Sequence, residues 1–105
     1  MNAANFQKMA HGDLAGLRQL AFDFFHDTRR QLAAWANLLE SGEFGELREH
    51  LHRCKGGASL FGLERLVALI GAVESPAALE KRGFDFSLFE NELSEAEKAV
   101  GALEA

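Results

Sequence analysis

Within His52-Arg53-Cys54-Lys55-Gly56-Gly57, an imidazole, a primary amine and two adjacent glycines fall inside a segment whose apolar spacing is helical. A glycine in a helix interior costs about 1 kcal/mol relative to alanine. A pair of them beside a histidine therefore points to a place kept clear of side-chain bulk. A neutral imidazole is a nitrogen nucleophile near pH 7, its unperturbed pKa lying close to ~6.5. A neighbouring lysine supplies a positive charge. Nucleophile, cation and open space together suit acceptance of a phosphoryl group.

Helical geometry singles out one histidine. Leu47, Leu51, Cys54, Ala58 and Phe61 recur at four- and three-residue steps and form a core seam. At about 100° per residue, His52 points roughly 140° away from that seam, whereas His50 lies only about 60° off it. Lys55 sits about 60° around from His52, and Gly56, four residues on, lies directly above the imidazole. Arg48 is one turn before it. A metal site built from His50, His52 and Cys54 is an alternative, but these residues would share a face only on a strand. Cys54, on the seam, reads as a small buried hydrophobe.

The elements that must hold this stretch are helices. The chain has 105 residues, 48% of them hydrophobic, with one proline and no tyrosine, which favours a single all-α domain spanning residues 1–105. From Asp13, a suitable N-cap, to Glu40 the residues Leu14, Leu17, Ala21, Phe24, Phe25, Leu32, Trp35 and Leu39 keep one apolar face, and Ser41-Gly42 ends the helix. The motif helix runs from Phe44 to Phe61, with Gly62 as its C-terminal stop. Leu66, Leu69, Ile70 and Val73 mark the next helix, ended by Ser75-Pro76. A loop at Lys81-Arg82-Gly83 leads to Ser87-Leu88-Phe89-Glu90, which matches a capping box at the head of a last helix carrying Leu93, Ala96, Val100 and Leu103. Asn5 to Ala10 forms a short leading helix. The expected architecture is an antiparallel four-helix bundle with a short additional N-terminal helix, its nine phenylalanines mostly in the core.

Charge and composition exclude several classes. Sixteen acidic against eleven basic residues give a net charge of −5, which opposes nucleic acid as a partner. The single cysteine allows no internal disulfide, no apolar run approaches the roughly 20 residues of a membrane span, and Met1-Asn2-Ala3-Ala4-Asn5-Phe6 does not read as a signal peptide. The expected compartment is the cytoplasm and the expected state a monomer, since four helices can close a core alone.

The spacing His52, Lys55, Gly56 and Gly62 resembles the histidine-containing phosphotransfer (HPt) domains of bacterial phosphorelays, whose motif reads His-x-x-Lys-Gly with a further glycine ten residues after the histidine. The resemblance extends over roughly residues 14 to 75, taking in Phe24-Phe25, the helix from Leu32 to Leu39, the turn at Ser41-Gly42-Glu43-Phe44 and the segment from Leu66 to Glu74. Gly57 departs from it, since serine or alanine is common there. The resemblance implies that His52 accepts a phosphoryl group from an aspartyl phosphate on a response-regulator receiver domain and passes it to another, with Lys55 as charge partner and Gly56 as clearance. It implies a carrier rather than an autonomous enzyme, fed by a sensor or hybrid histidine kinase. No cofactor is expected on the chain, and Mg²⁺ is expected on the receiver. A second reading is an interaction bundle that docks a receiver or another protein without accepting phosphate.

A docking face follows from the turn at Gly42. Reversal there sets His52 opposite a residue near Ala33, good to about one helical turn. Ala33 and Ala34 keep that surface shallow. Arg29, Arg30, Arg48 and Ser59 complete the expected receiver-docking set.

Overall fold

A computed structural model describes residues 3–82 and 84–103. The leading helix, α1, spans Ala3–Met9, and α2 spans Leu14–Glu40. The motif helix α3 covers Phe44–Leu60 and is followed by α4 at Glu64–Val73, α5 at Pro76–Arg82 and α6 at Phe86–Gly101. The expectation for Gly83 lies outside the described residues.

Asp13 caps α2 as its sequence suggests, its carboxylate accepting from the Gly16 N–H at 2.9 Å. Both long reversals are the same motif. At the end of α2 the Glu43 N–H reaches the Leu38 carbonyl (2.9 Å) and Gly42 N–H the Leu39 carbonyl (3.2 Å). At the end of α3 the Leu63 N–H reaches Ala58 (2.9 Å) and Gly62 N–H reaches Ser59 (3.1 Å). Gly42 and Gly62 stand at φ +77° and +68°, a conformation that favours glycine. Each motif satisfies the helix's last carbonyls and folds the chain back on itself.

The result is an up-down-up-down arrangement in which α2 packs on α3, α3 on α4, α4 on α6 and α6 on α2. The seam residues Leu47, Leu51, Cys54, Ala58 and Phe61 are all buried, as their spacing requires. The phenylalanines gather at two levels. Phe24 packs on Phe61, which in turn meets Phe6 of α1 (centroids 5.7 and 6.5 Å), and Trp35 meets Phe84 and Phe89 of the α6 end (6.4 and 5.7 Å).

Two expectations along the C-terminal half need correction. Lys81 and Arg82 are not a loop but the end of α5. Pro76 both stops α4 and opens α5, where its fixed φ and missing N–H cost nothing. The Ser75 hydroxyl accepts from Ala78 N–H at 3.2 Å, and Leu79, 1% exposed, anchors the helix in the core. The last helix is capped by Asp85, which accepts from Leu88 N–H at 3.0 Å, so Ser87 lies inside the first turn rather than at the cap. Phe86 packing on Phe84 at 4.9 Å fixes this earlier start.

Candidate functional site

Helix α3 presents His52 to solvent, its side chain 59% exposed, on the flank that faces α4. The partner on that flank is Glu74, the residue just past α4. Its Oε2 lies 3.2 Å from His52 Nδ1, and its Oε1 bonds the Lys55 ammonium. One carboxylate therefore ties together the imidazole and the lysine of the motif. Lys55 is 26% exposed and Glu74 18%, so the lysine is less open than the sequence alone suggests, because Glu74 folds over it.

The electrostatics of the triad set its chemistry. The hydrogen bond from Lys55 holds the Glu74 carboxyl below its ordinary value; burial opposes this, and His52 adds to the lowering. An ionised carboxylate can only accept, so the contact at Nδ1 assigns the ring proton to Nδ1 when His52 is neutral. The Nε2 lone pair is then the free one. A nucleophilic nitrogen results, with its ring orientation fixed by a second group.

The two glycines separate in role. A Cβ built on Gly56 would meet nothing within 4 Å, whereas one on Gly57 would lie 2.6 Å from Cε1 of Phe24. Gly56 gives clearance beside His52. Gly57 instead lets α2 and α3 approach.

Contacts between α2 and α3 also place the other expected residues. Phe24 meets Gly57, and Thr28 lies across from Cys54 in the α2–α3 groove. Extending that register sets the level of His52 near Arg30, one turn from Ala33. Ala33 in fact lines the groove between α2 and α6 with Arg29, Phe86 and Glu90. Arg29 is paired with Glu97 at 3.0 Å and bonds Ser94, so both residues face α6 and not His52. Equal helix lengths on either side of Gly42 set the level to within a turn, but not the rotation of α2 about its own axis. Arg30 is exposed and paired with Asp27. Arg48 and Ser59 are exposed on α3, one turn before and two turns after His52.

His50 points elsewhere, lining the α2–α3 groove with Thr28, Gln31 and Arg53. Burial pushes the Cys54 thiol up to about 11, opposed by the side chain of Thr28. His50, His52 and Cys54 thus diverge into a groove, the Glu74 contact and the core, and no cluster of three or more metal-ligating side chains occurs among the described residues.

Glu74 is the participant that the sequence reading overlooked. The signal was present: Glu74 and His52 are equally far in sequence from Leu63, so the reversal at Gly62 brings them level, by the argument applied above only to Gly42.

Comparison with protein families gives a match to the Hpt domain over residues 19–99. The chain therefore belongs to the Hpt domain family, whose members carry phosphoryl groups on histidine in phosphorelays and interact there with receiver domains and kinases. No curated protein and no solved structure matches it. Among the described residues no helix is long and apolar enough to cross a membrane.

Proposed function

We propose that this protein carries a phosphoryl group on Nε2 of His52, receiving it from an aspartyl phosphate of one receiver domain and delivering it to the aspartate of another. The observation that supports this most directly is the His52 Nδ1 contact to Glu74, on an exposed ring with open space at Gly56. A surface histidine with no task has no need of a carboxylate that fixes its tautomer.

In the forward step the Nε2 lone pair attacks phosphorus, the bond to the aspartyl oxygen breaks, and aspartate leaves as carboxylate. The Nδ1 proton stays against Glu74, which offsets the positive charge the ring acquires. Mg²⁺ belongs to the receiver in this reading, and the chain acts as a carrier in the cytoplasm. Receiver docking falls on the exposed face of α3, at Arg48, Gly56 and Ser59, with Arg30 at its margin.

The test is transfer from a phosphorylated receiver. The wild-type protein is expected to take up acid-labile, base-stable phosphate. H52Q is expected to take up none, and H50Q to behave as wild type. Transfer that survives H52Q sinks the assignment. Binding of the receiver without any transfer to wild type would favour the docking-only bundle.

A further inference from the structure

Glu74 is in contact with His52 Nδ1 and bonds the Lys55 ammonium, so the positive charge of Lys55 is already matched in the resting site. A phosphoryl group brings up to about two further negative charges. Glu49, three residues before His52 and exposed, places another carboxylate on the same stretch of α3. The transferred group therefore arrives beside two carboxylates, and the motif lysine is already engaged by one of them.

One cation on α3 answers that need. Arg48 lies four residues before His52, a spacing that sets Cβ atoms about 5–6 Å apart on one helix face. It is exposed, and its side chain makes no ion pair or hydrogen bond with any described residue. Arg53 is also exposed, but it sits about 100° around the axis from His52 and lines the α2–α3 groove. A guanidinium, moreover, offers phosphoryl oxygens two parallel N–H donors, where an ammonium is a point charge.

Resting on the assignment of His52 as the carrier, we propose that Arg48, and not Lys55, is the cation that meets the phosphoryl oxygens on phosphorylated His52 and stabilises the phospho form. Lys55 stays with Glu74 as part of the device that orients the ring. Arg48 then binds the product of transfer directly and is more than a docking contact.

The equilibrium partition of phosphoryl groups between free receiver and free carrier separates these roles. A residue that only docks the receiver changes the rate of exchange, but its contribution cancels from that equilibrium constant. R48Q is expected to lower the constant for transfer to His52 about three- to fivefold at low ionic strength, in line with one exposed ion pair, and the difference should shrink as salt is added. R48K keeps the charge without the fork and should fall between R48Q and wild type. R53Q should match wild type. An unchanged constant in R48Q overturns the proposal, as does an equal fall in R53Q, which would mean a general field and no clamp. Circular dichroism checks that each variant folds, and R48K decides the matter by the same constant if R48Q loses helix content. Wild-type protein that takes no base-stable phosphate, or H52Q that still does, would remove the carrier assignment itself and not merely the role of Arg48.

Discussion

At the scale of single residues, the proposed transfer through His52 depends on what the second ring nitrogen touches. With Nδ1 held 3.2 Å from Glu74, the contact restrains the ring and favours the neutral tautomer protonated at Nδ1. Removing that acceptor should therefore slow transfer without unfolding the protein. E74A is expected to lose about tenfold to a hundredfold in the phosphotransfer rate, by analogy with the loss of a carboxylate that orients a metal-bound histidine. E74Q, whose amide oxygen can still accept from Nδ1, should lose less. Single-turnover transfer measured by rapid quench tests both. The same carboxylate marks a pH dependence of stability. Its folded pKa is depressed below the ordinary glutamate value of 4.5, so the stabilisation is fully present above that value and is lost as pH falls through the folded one. E74Q should flatten the stability profile below pH ~4.5, and denaturant titrations on the acid side would show it. A profile as steep as wild type would mean that the Lys55 pair adds nothing to the fold.

At the scale of the helices, two adjacent glycines in α3 give opposite expectations. G57A drives a methyl group to 2.6 Å from a carbon of Phe24, and forced repacking of this kind costs about 1–3 kcal/mol. G56A meets open space, and alanine is a better helix former by up to about 1 kcal/mol. Thermal unfolding should thus show G57A less stable than wild type and G56A equal or more stable, while phosphotransfer by G56A is slower because the added methyl stands beside His52. Equal melting temperatures for the two variants would contradict the close approach of α2 and α3. Part of this was readable beforehand. The seam of Leu47, Leu51, Cys54, Ala58 and Phe61, and the caps at Asp13 and Gly62, depend on local spacing and backbone preference, and they stand as read. The cap of α6 did not, since Asp85 and Ser87 both suit that position and the packing of Phe86 on Phe84 decides between them. Helix α5 was missed for a similar reason. A seven-residue segment has too few turns to show a period, and among its described side chains only Leu79 is buried in the core.

At the scale of the whole molecule, the arrangement of helices divides the surface into faces with different duties. Arg29, which the sequence suggested for receiver docking, joins α2 to α6 through Glu97 and Ser94. R29A is accordingly expected to cost no more than about 1 kcal/mol of stability, as for other exposed ion pairs, and to leave the KM for a phosphorylated receiver unchanged. A raised KM in that variant would extend the docking surface around to the α2–α6 side. Arg18 plays a comparable part at the other end, donating to the Leu103 carbonyl at the C-terminus of α6. In the proposed function, the basic and small residues of the α3 face, by contrast, meet the receiver.

The sequence by itself determined the class of fold, the presence of its four main helices, the buried seam of α3 and the outward direction of His52. All of these follow from the period of the helix and from the backbone preferences of aspartate, glycine and proline, which act over a few residues. Only the tertiary structure decided that Glu74 closes on His52 and Lys55, that Gly57 admits Phe24, and that Arg29 and Ala33 belong to the α6 side. Each of these depends on how far a helix is rotated about its own axis when it packs. That rotation is set by the fit of side chains across the whole core, which no local period records.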